Sequence, residues 1–192
     1  MGEVQSVEAG DPEPGRLAYN QASVLMPRRS GKTEGVHPMV ARVCGGSEKR
    51  SVWTTAQRRE DAVSRWRDTA DRIVGSPMGG LVRRKISNSH EELLWMKSGS
   101  VYRPFAPDVR GESLHGEEPS LVIVDELWTL ALDELKAIQT GYRPSWSVTD
   151  GQEVMLSAAG TLMSGALKHH RVVSREAVSR GVQLQISSLL CL

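Results

Sequence analysis

Residues 24–33 read Val24-Leu25-Met26-Pro27-Arg28-Arg29-Ser30-Gly31-Lys32-Thr33. The apolar run at 22–26 predicts a buried strand, and residues 33 to about 44 are predicted to be helical. A strand, a loop and a helix that opens on Gly31-Lys32-Thr33 is the order of a phosphate-binding loop, in which backbone N–H groups converge on an anion. In this interpretation Lys32 reaches the β- and γ-phosphates, and the Thr33 hydroxyl ligates Mg²⁺.

The loop departs from the usual pattern. Met26 stands where a glycine is usual, and Pro27-Arg28-Arg29 fills the loop. A Gly-Lys-Thr tripeptide also occurs in solvated loops, so the motif alone leaves both interpretations open. Arg28 or Arg29, with Arg28 preferred, is predicted to neutralise charge on the γ-phosphate. The alternative is that these arginines face solvent or pair with Glu34 or Asp125.

A second element follows at residues 121–126, which read Leu-Val-Ile-Val-Asp-Glu. A continuous apolar run is typical of a central parallel strand. At its end, Asp125 is placed to hold Mg²⁺ directly or through water, and Glu126 to act as general base. The alternative is a strand-to-helix junction in which an acid caps the helix that follows.

A third candidate segment is 157–161, where small residues follow a predicted strand. Ser157, Gly160 and Thr161 are predicted to sense the γ-phosphate or its water. A tight turn that requires small side chains explains the same residues equally well.

The chain of 192 residues is 39% apolar and 24% charged, as in an ordinary globular domain. No apolar run reaches the roughly 20 residues of a membrane span, and no signal-peptide pattern is present at the N-terminus. Cys44 and Cys191 lie far apart without metal-ligand spacing. A protein of a reducing compartment, the cytoplasm, is expected.

Strand and helix patterns alternate along the chain, which predicts a mainly parallel sheet in a three-layer α/β fold. Strands are predicted at 51–56 and 152–157, an edge hairpin at 92–96 and 101–105, and helices at 57–74, 127–140 and 167–180. The three candidate segments then all lie at the carboxyl ends of strands, where ligands bind in open α/β sheets. The predicted organisation is a flexible arm at 1–17, one domain at 18–165, and a C-terminal helix and tail at 166–192.

Charge is unevenly distributed although the net charge is only +1. Residues 41–90 hold eleven Lys/Arg against five Asp/Glu, a net +6, whereas residues 111–153 hold two against nine, a net −7. A basic segment inside a near-neutral domain is suited to meet a polyanion with one face. A solvated face without a partner is the alternative.

Four stretches together resemble the large subunit of the terminase of tailed bacteriophages, a DNA-packaging motor. Residues 26–33 look like its divergent Walker A motif, 53–62 like the strand and helix that follow, 111–126 like the approach to Walker B, and 157–161 like the coupling motif. The resemblance covers roughly residues 19–161.

This resemblance implies an additional-strand, RecA-like P-loop ATPase that uses ATP and Mg²⁺ to move double-stranded DNA into a procapsid. In such a motor, the predicted helix at 57–74 and the basic residues at 83–85 are expected to contact duplex DNA through its phosphates. Its implied partners are the portal protein, the small terminase subunit and further copies of itself in a ring. It also implies a nuclease domain, but only residues 162–192 follow Thr161, without a spaced carboxylate cluster. Nuclease activity is therefore not expected from this chain.

Two other interpretations stay open at this point. The chain is alternatively an inactive remnant of a prophage that binds nucleotide or DNA without turnover. A helicase-like ATPase is the third interpretation, and the presence of one P-loop without a second RecA-like half speaks against it.

Overall fold

A central sheet runs through the protein. The computed structural model describes residues 20–27, 29–87, 90–106, 118–147, 150–158, 164–179 and 186–187. Within these ranges the strands are β1 (Gln21–Leu25), β2 (Ser51–Thr55), β3 (Val82–Lys85), β4 (Glu92–Trp95), β5 (Val101–Pro104), β6 (Leu121–Val124), β7 (Gln152–Ser157) and β8 (Ile186–Ser187).

The strand order across the sheet is β3-β4-β5-β2-β6-β7-β1-β8. The six strands β5-β2-β6-β7-β1-β8 are parallel to one another, while β4 is antiparallel to both β3 and β5. The predicted hairpin is therefore confirmed. One strand, β7, lies between β1 and β6. This is the additional-strand arrangement. The β1 strand leads into the loop before α1, and β6 leads into Asp125 and Glu126, called the acidic pair below.

Helices cover both faces of the sheet. They are α1 (Lys32–Cys44), α2 (Arg59–Val74), α3 (Leu132–Tyr142) and α4 (Gly165–Ser179), with short 3₁₀ helices at Gly79–Leu81, Leu127–Thr129 and Arg143–Ser147. The α1 and α2 helices pack on one face around the fully buried Trp66, and α3 and α4 pack on the other face around Leu135 and Leu167. The predicted three-layer α/β fold is confirmed.

The β6 strand shows why its sequence is apolar throughout. Leu121 and Ile123 belong to the α1–α2 side of the core, and Val122 and Val124 belong to the α3–α4 side. Because successive side chains point to opposite faces, a strand covered on both faces needs apolar residues at every position.

Two features differ from the sequence-based expectations. The strand β3 has no counterpart among them, since three of its four residues are basic and exposed. A sheet-edge strand pairs on one side only, so it does not need a continuous apolar pattern. The helix predicted from residue 127 is wrong in its first turns, because a 3₁₀ turn precedes α3. Pro38 lies inside α1, and the helix continues past it.

Several expectations concern residues outside the described ranges, among them the N-terminal arm at 1–17, Arg28, Gly160, Thr161 and Cys191. Cys44 is buried, and its burial raises the pKa of the thiol to about 12. Within the described ranges, no helix has the length and apolarity needed to cross a bilayer.

Candidate active site

The loop between β1 and α1 has an unusual backbone conformation. Gly31 has a φ of 87°, in the left-handed region that favours glycine, and Arg29 has a φ of 62°. The Ser30 hydroxyl donates a hydrogen bond of 2.6 Å to the Pro27 carbonyl, which closes the loop on itself. A non-glycine residue in the left-handed region is strained, and such strain is concentrated at ligand-binding loops.

The N-terminus of α1 is left open to an anion. Gly31 occupies the N-cap position, and no side chain caps it. The Glu34 N–H is bonded to the Gly31 carbonyl at 2.9 Å. The N–H groups that precede it in the first turn, together with the helix dipole, form a binding site for a negative group.

A cleft of about 590 Å³ joins this loop to the end of β6. Its volume lies in the range of ligand pockets. Its lining comes from the loop and α1 (Arg29, Gly31, Lys32, Thr33 and Glu34), from α2 (Arg65), and from the segment after β6 (Glu126 and Trp128). The structure therefore brings the two predicted motifs together around one space.

Asp125 follows β6 and is 5% exposed. Its Oδ1 accepts the Glu126 N–H at 2.8 Å, and its Oδ2 lies 3.2 Å from Arg65 Nε. Burial raises the pKa of Asp125, and Arg65, the Glu126 N–H and Lys32 act in the opposite direction. A buried carboxylate of this kind requires a compensating cation, and Arg65 supplies that positive charge here.

Glu126 adopts the left-handed conformation with a φ of 55°, which is uncommon for a residue other than glycine. Its carboxylate accepts a hydrogen bond from the Trp128 indole N–H and lies 3.9 Å from Arg65 Nη2. Its carbonyl accepts bonds from the Thr129 N–H at 2.8 Å and hydroxyl at 2.7 Å. These contacts hold a strained backbone and place the carboxylate on the wall of the cleft.

The acidic pair does not cap α3; Glu126 instead occupies the N-cap position of the 3₁₀ helix Leu127–Thr129, without a side-chain capping hydrogen bond. The N-cap of α3 is Ala131, whose N–H donates to the Glu134 carboxylate at 2.8 Å. Asp125 instead bonds its neighbour's N–H, directly before the 3₁₀ turn.

Ser157 is fully buried at the end of β7 and connects the two motifs. Its carbonyl accepts the Met26 N–H at 3.0 Å, and its hydroxyl accepts the Trp128 N–H at 3.1 Å. The same hydroxyl donates to the Ala158 carbonyl at 2.8 Å. Ser157 thus fixes the spacing between the loop and the acidic segment, and the coupling role of Ser157, Gly160 and Thr161 stays a prediction.

Sequence reasoning missed Arg65 and Trp128 as site residues. The sequence places Arg65 on the predicted DNA-contacting helix, but its guanidinium faces the acidic pair. Trp128 belongs to the apolar stretch after Glu126, and its indole N–H contacts that acid. The sequence signal for Trp128 is its position two residues after the acid. Arg65 has no local signal, because the contact depends on how α2 packs against the sheet.

Two other arginines of α2 have partners outside their helix. The sequence predicts that some of the arginines at 58–72 pair with Glu60, Asp61, Asp68 or Asp71. Arg59 pairs with Glu91 at 2.8 Å and Arg72 pairs with Glu34 at 2.6 Å. Asp71 does form an ion pair, with Arg84 of β3.

Comparison with solved structures places this architecture among known folds. The large terminase of bacteriophage HK97 superposes with a TM-score of 0.70 at 19% identity, over 88% of this chain and 34% of that chain. The large-terminase ATPase domain of Thermus phage P74-26 gives a TM-score of 0.57 at 18% identity, over 74% and 61%. The fold is that of a large-terminase ATPase domain.

A third large terminase, from a thermophilic bacteriophage, was solved in complex with ATP-γ-S. It gives a TM-score of 0.54 at 10% identity, over 83% of this chain and 44% of that chain. No protein-family model and no curated protein matches the sequence. At these identities the likeness establishes the fold, and this chain spans about a third of the HK97 terminase chain.

The terminase resemblance drawn from the four sequence stretches is thereby confirmed as a likeness of fold. In this terminase-like sheet, β1 and β6 end at the same edge with β7 between them. The loop between β1 and α1 and the acidic pair therefore lie on either side of one strand, which explains why both line one cleft.

Proposed function

We propose that this chain binds and hydrolyses ATP as the motor domain of a phage large terminase. The observation that carries the proposal is the cleft in which the uncapped N-terminus of α1, Lys32 and Thr33 lies opposite Glu126 and the adjoining Asp125. A phosphate chain needs the first group of features, and its hydrolysis needs the second. The structures of the thermophilic-phage terminase with ADP and with ATP-γ-S support the choice of nucleotide.

The residues present fit a nucleotide with its magnesium ion. Lys32 and the first-turn N–H groups of α1 would bind the β- and γ-phosphates. Thr33 offers a hydroxyl and Asp125 a buried carboxylate, which are the oxygen ligands that Mg²⁺ prefers. When bound, Mg²⁺ would neutralise charge on the phosphates.

Glu126 is the proposed general base. Its carboxylate lies on the cleft wall, 27% exposed, so it can reach both solvent and a bound ligand. In this role it orients a water molecule and accepts its proton as the water attacks the γ-phosphate. Arg28 is the proposed transition-state cation, and Arg29 lines the cleft.

The motor is proposed to act on double-stranded DNA without sequence preference, as a homo-oligomeric ring with the portal protein and the small terminase subunit in the host cytoplasm. Support comes from basic side chains that are exposed around α2 and β3 (Arg58, Arg67, Arg83 and Lys85). These side chains are suited to phosphate contacts, which carry no sequence information.

The direct experiment is to measure ATP hydrolysis by the purified chain with Mg²⁺ and with EDTA, each with and without duplex DNA. Hydrolysis that requires Mg²⁺ is the expected result. ATP binding without any turnover in either condition would favour the inactive-remnant alternative. Absence of both binding and turnover would reject the nucleotide site.

A further inference from the structure

Arg65 occupies a position that the proposed reaction does not explain. It lies on α2, far in sequence from both motifs, yet its guanidinium contacts both members of the acidic pair. We propose that Arg65 is a positioning residue that takes the place of the divalent cation at Asp125 in the nucleotide-free protein and yields it when the cation binds. This inference rests on the proposed function, since it concerns the loading of the same site.

Arg65 and a divalent cation would compete for one oxygen atom of Asp125. Asp125 Oδ1 already accepts the Glu126 N–H, and Arg65 Nε lies 3.2 Å from Oδ2. A magnesium ion binds oxygen at roughly 2.0–2.1 Å in an octahedral shell. An ion bound to Oδ2 would stand beside a positive guanidinium nitrogen, so Arg65 has to withdraw.

The formal charges around the cleft are balanced when no ligand is bound. The three acids are Glu34, Asp125 and Glu126, and the three basic residues are Arg29, Lys32 and Arg65. A magnesium ion adds two positive charges beside the acids, while the nucleotide that accompanies it adds negative charge beside Lys32. Arg65 then becomes surplus at Asp125 and lies on the wall of a cleft that holds phosphates.

The Arg65 side chain can move while α2 stays in place. The Arg65 side chain is 40% exposed, so no tight packing confines it. Ion pairs bind α2 on either side of it: Arg59 to Glu91 at 2.8 Å, and Arg72 to Glu34 at 2.6 Å. The exchange at Asp125 therefore needs only rotation of one long side chain.

The test measures the affinity of the whole, nucleotide-free chain for Mn²⁺ by electron paramagnetic resonance. Arg65→Gln should bind Mn²⁺ on the order of tenfold more tightly than the parent, because a competing positive charge is gone. Arg65→Lys keeps the charge and should stay close to the parent. Arg42→Gln is the matched control, because Arg42 lies exposed in the last turn of α1; it too should match the parent.

Two further measurements locate the effect. If the ion binds at Asp125, the double variant Asp125→Asn/Arg65→Gln should lose the gain in Mn²⁺ affinity that Arg65→Gln shows over the parent. Circular dichroism and thermal melting of each variant establish that the fold is intact. Equal Mn²⁺ affinity of the parent and Arg65→Gln, or a gain that persists in the double variant, would overturn the inference.

Failure of the inference is distinguishable from failure of the proposed function. Calorimetric titration of the parent with ATP and Mg²⁺ tests the nucleotide site by itself. A parent that binds no ATP counts against the proposed function. A parent that binds ATP while Arg65→Gln shows unchanged Mn²⁺ affinity counts against the inference alone.

Discussion

Lys32 is the lysine of the loop and is half-buried on the cleft wall beside Gly31 and Thr33. Lys32→Ala should lower the rate of ATP hydrolysis by about 10²–10³, the loss typical of one electrostatic contact to the reacting group. Steady-state phosphate release measures it. Lys136→Ala removes the same charge from an exposed position on α3 and should leave the rate unchanged. Equal rates for Lys32→Ala and the parent would reject the phosphate-loop assignment.

Substitutions of Glu126 and Asp125 should have different effects on turnover and on nucleotide affinity. Glu126→Gln keeps the shape of the side chain but removes the base, so nucleotide affinity should persist while turnover is lost. Asp125→Asn should instead weaken nucleotide binding and raise the Mg²⁺ concentration needed for half-maximal activity. Calorimetry and initial rates distinguish these outcomes. If Glu126→Gln loses affinity and Asp125→Asn keeps full turnover, the two roles are reversed.

Between elements, one polar contact that joins α1 to α2 should make stability depend on pH. His37 is buried, and its Nδ1 lies 3.1 Å from the Thr69 hydroxyl. Burial lowers the pKa of His37 below 6.5, Arg72 adds to the effect, and Glu34 and Asp68 oppose it. The unfolded chain therefore takes up this proton at a higher pH than the folded chain does. Acidification through and below pH 6.5 should favour unfolding.

His37→Gln carries no titrating group and should lack this component. Urea unfolding at about pH 7 and about pH 5, on either side of the ordinary histidine pKa, gives the free energy of unfolding of both proteins. We expect the parent to lose more stability than the variant between these two values. His90→Gln, at an exposed position, is the control and should follow the parent. Parallel losses in parent and His37→Gln would show that His37 contributes nothing to the pH dependence.

Over the whole molecule, the distribution of basic residues predicts weak binding of duplex DNA that falls steeply with salt. The structure reduces the number of basic residues expected to contact DNA. Four of them already form ion pairs within the protein: Arg59, Arg65, Arg72 and Arg84. Reversal of charge at the exposed Arg58 and Arg67 should weaken binding and reduce its salt dependence. Reversal at Arg83 and Lys85 tests the edge strand separately.

Fluorescence anisotropy of a labelled duplex at several salt concentrations measures these effects, and two unrelated duplex sequences should bind alike. Lys136→Glu is the matched control, since α3 lies on the opposite face of the sheet from α2. Salt-insensitive binding, or unchanged affinity in the reversed variants, would reject this surface. An isolated domain should bind weakly, because a ring gains affinity when several subunits hold one duplex.

At the end of the sheet opposite the cleft, one buried acid is bonded by residues from several elements. Glu153 of β7 is fully buried and accepts hydrogen bonds from Gln21 at 2.9 Å, Gln139 at 3.0 Å, Tyr142 at 2.5 Å and Arg143 at 2.7 Å. In the sequence it is one more acid in a negatively charged segment. In the structure it links β1, β7 and the end of α3.

Features that depend on local periodicity and on turn residues follow from the amino-acid sequence without the structure. The strand, loop and helix around Gly31, the apolar strand before Asp125 and the hairpin about Gly99 all arise from residues adjacent in the chain. These features determine the class of fold, and they place the cleft at the carboxyl ends of the strands.

Contacts between residues far apart in the chain were settled by the packing of the folded molecule. Burial of Asp125 next to Arg65, the basic strand β3 at the sheet edge, and the position of β7 between β1 and β6 are of this kind. Propensity and periodicity report only on neighbours within a turn or a strand. The ion pair between Arg65 and Asp125 depends on how two elements pack against one sheet, and that packing is settled by the whole core at once.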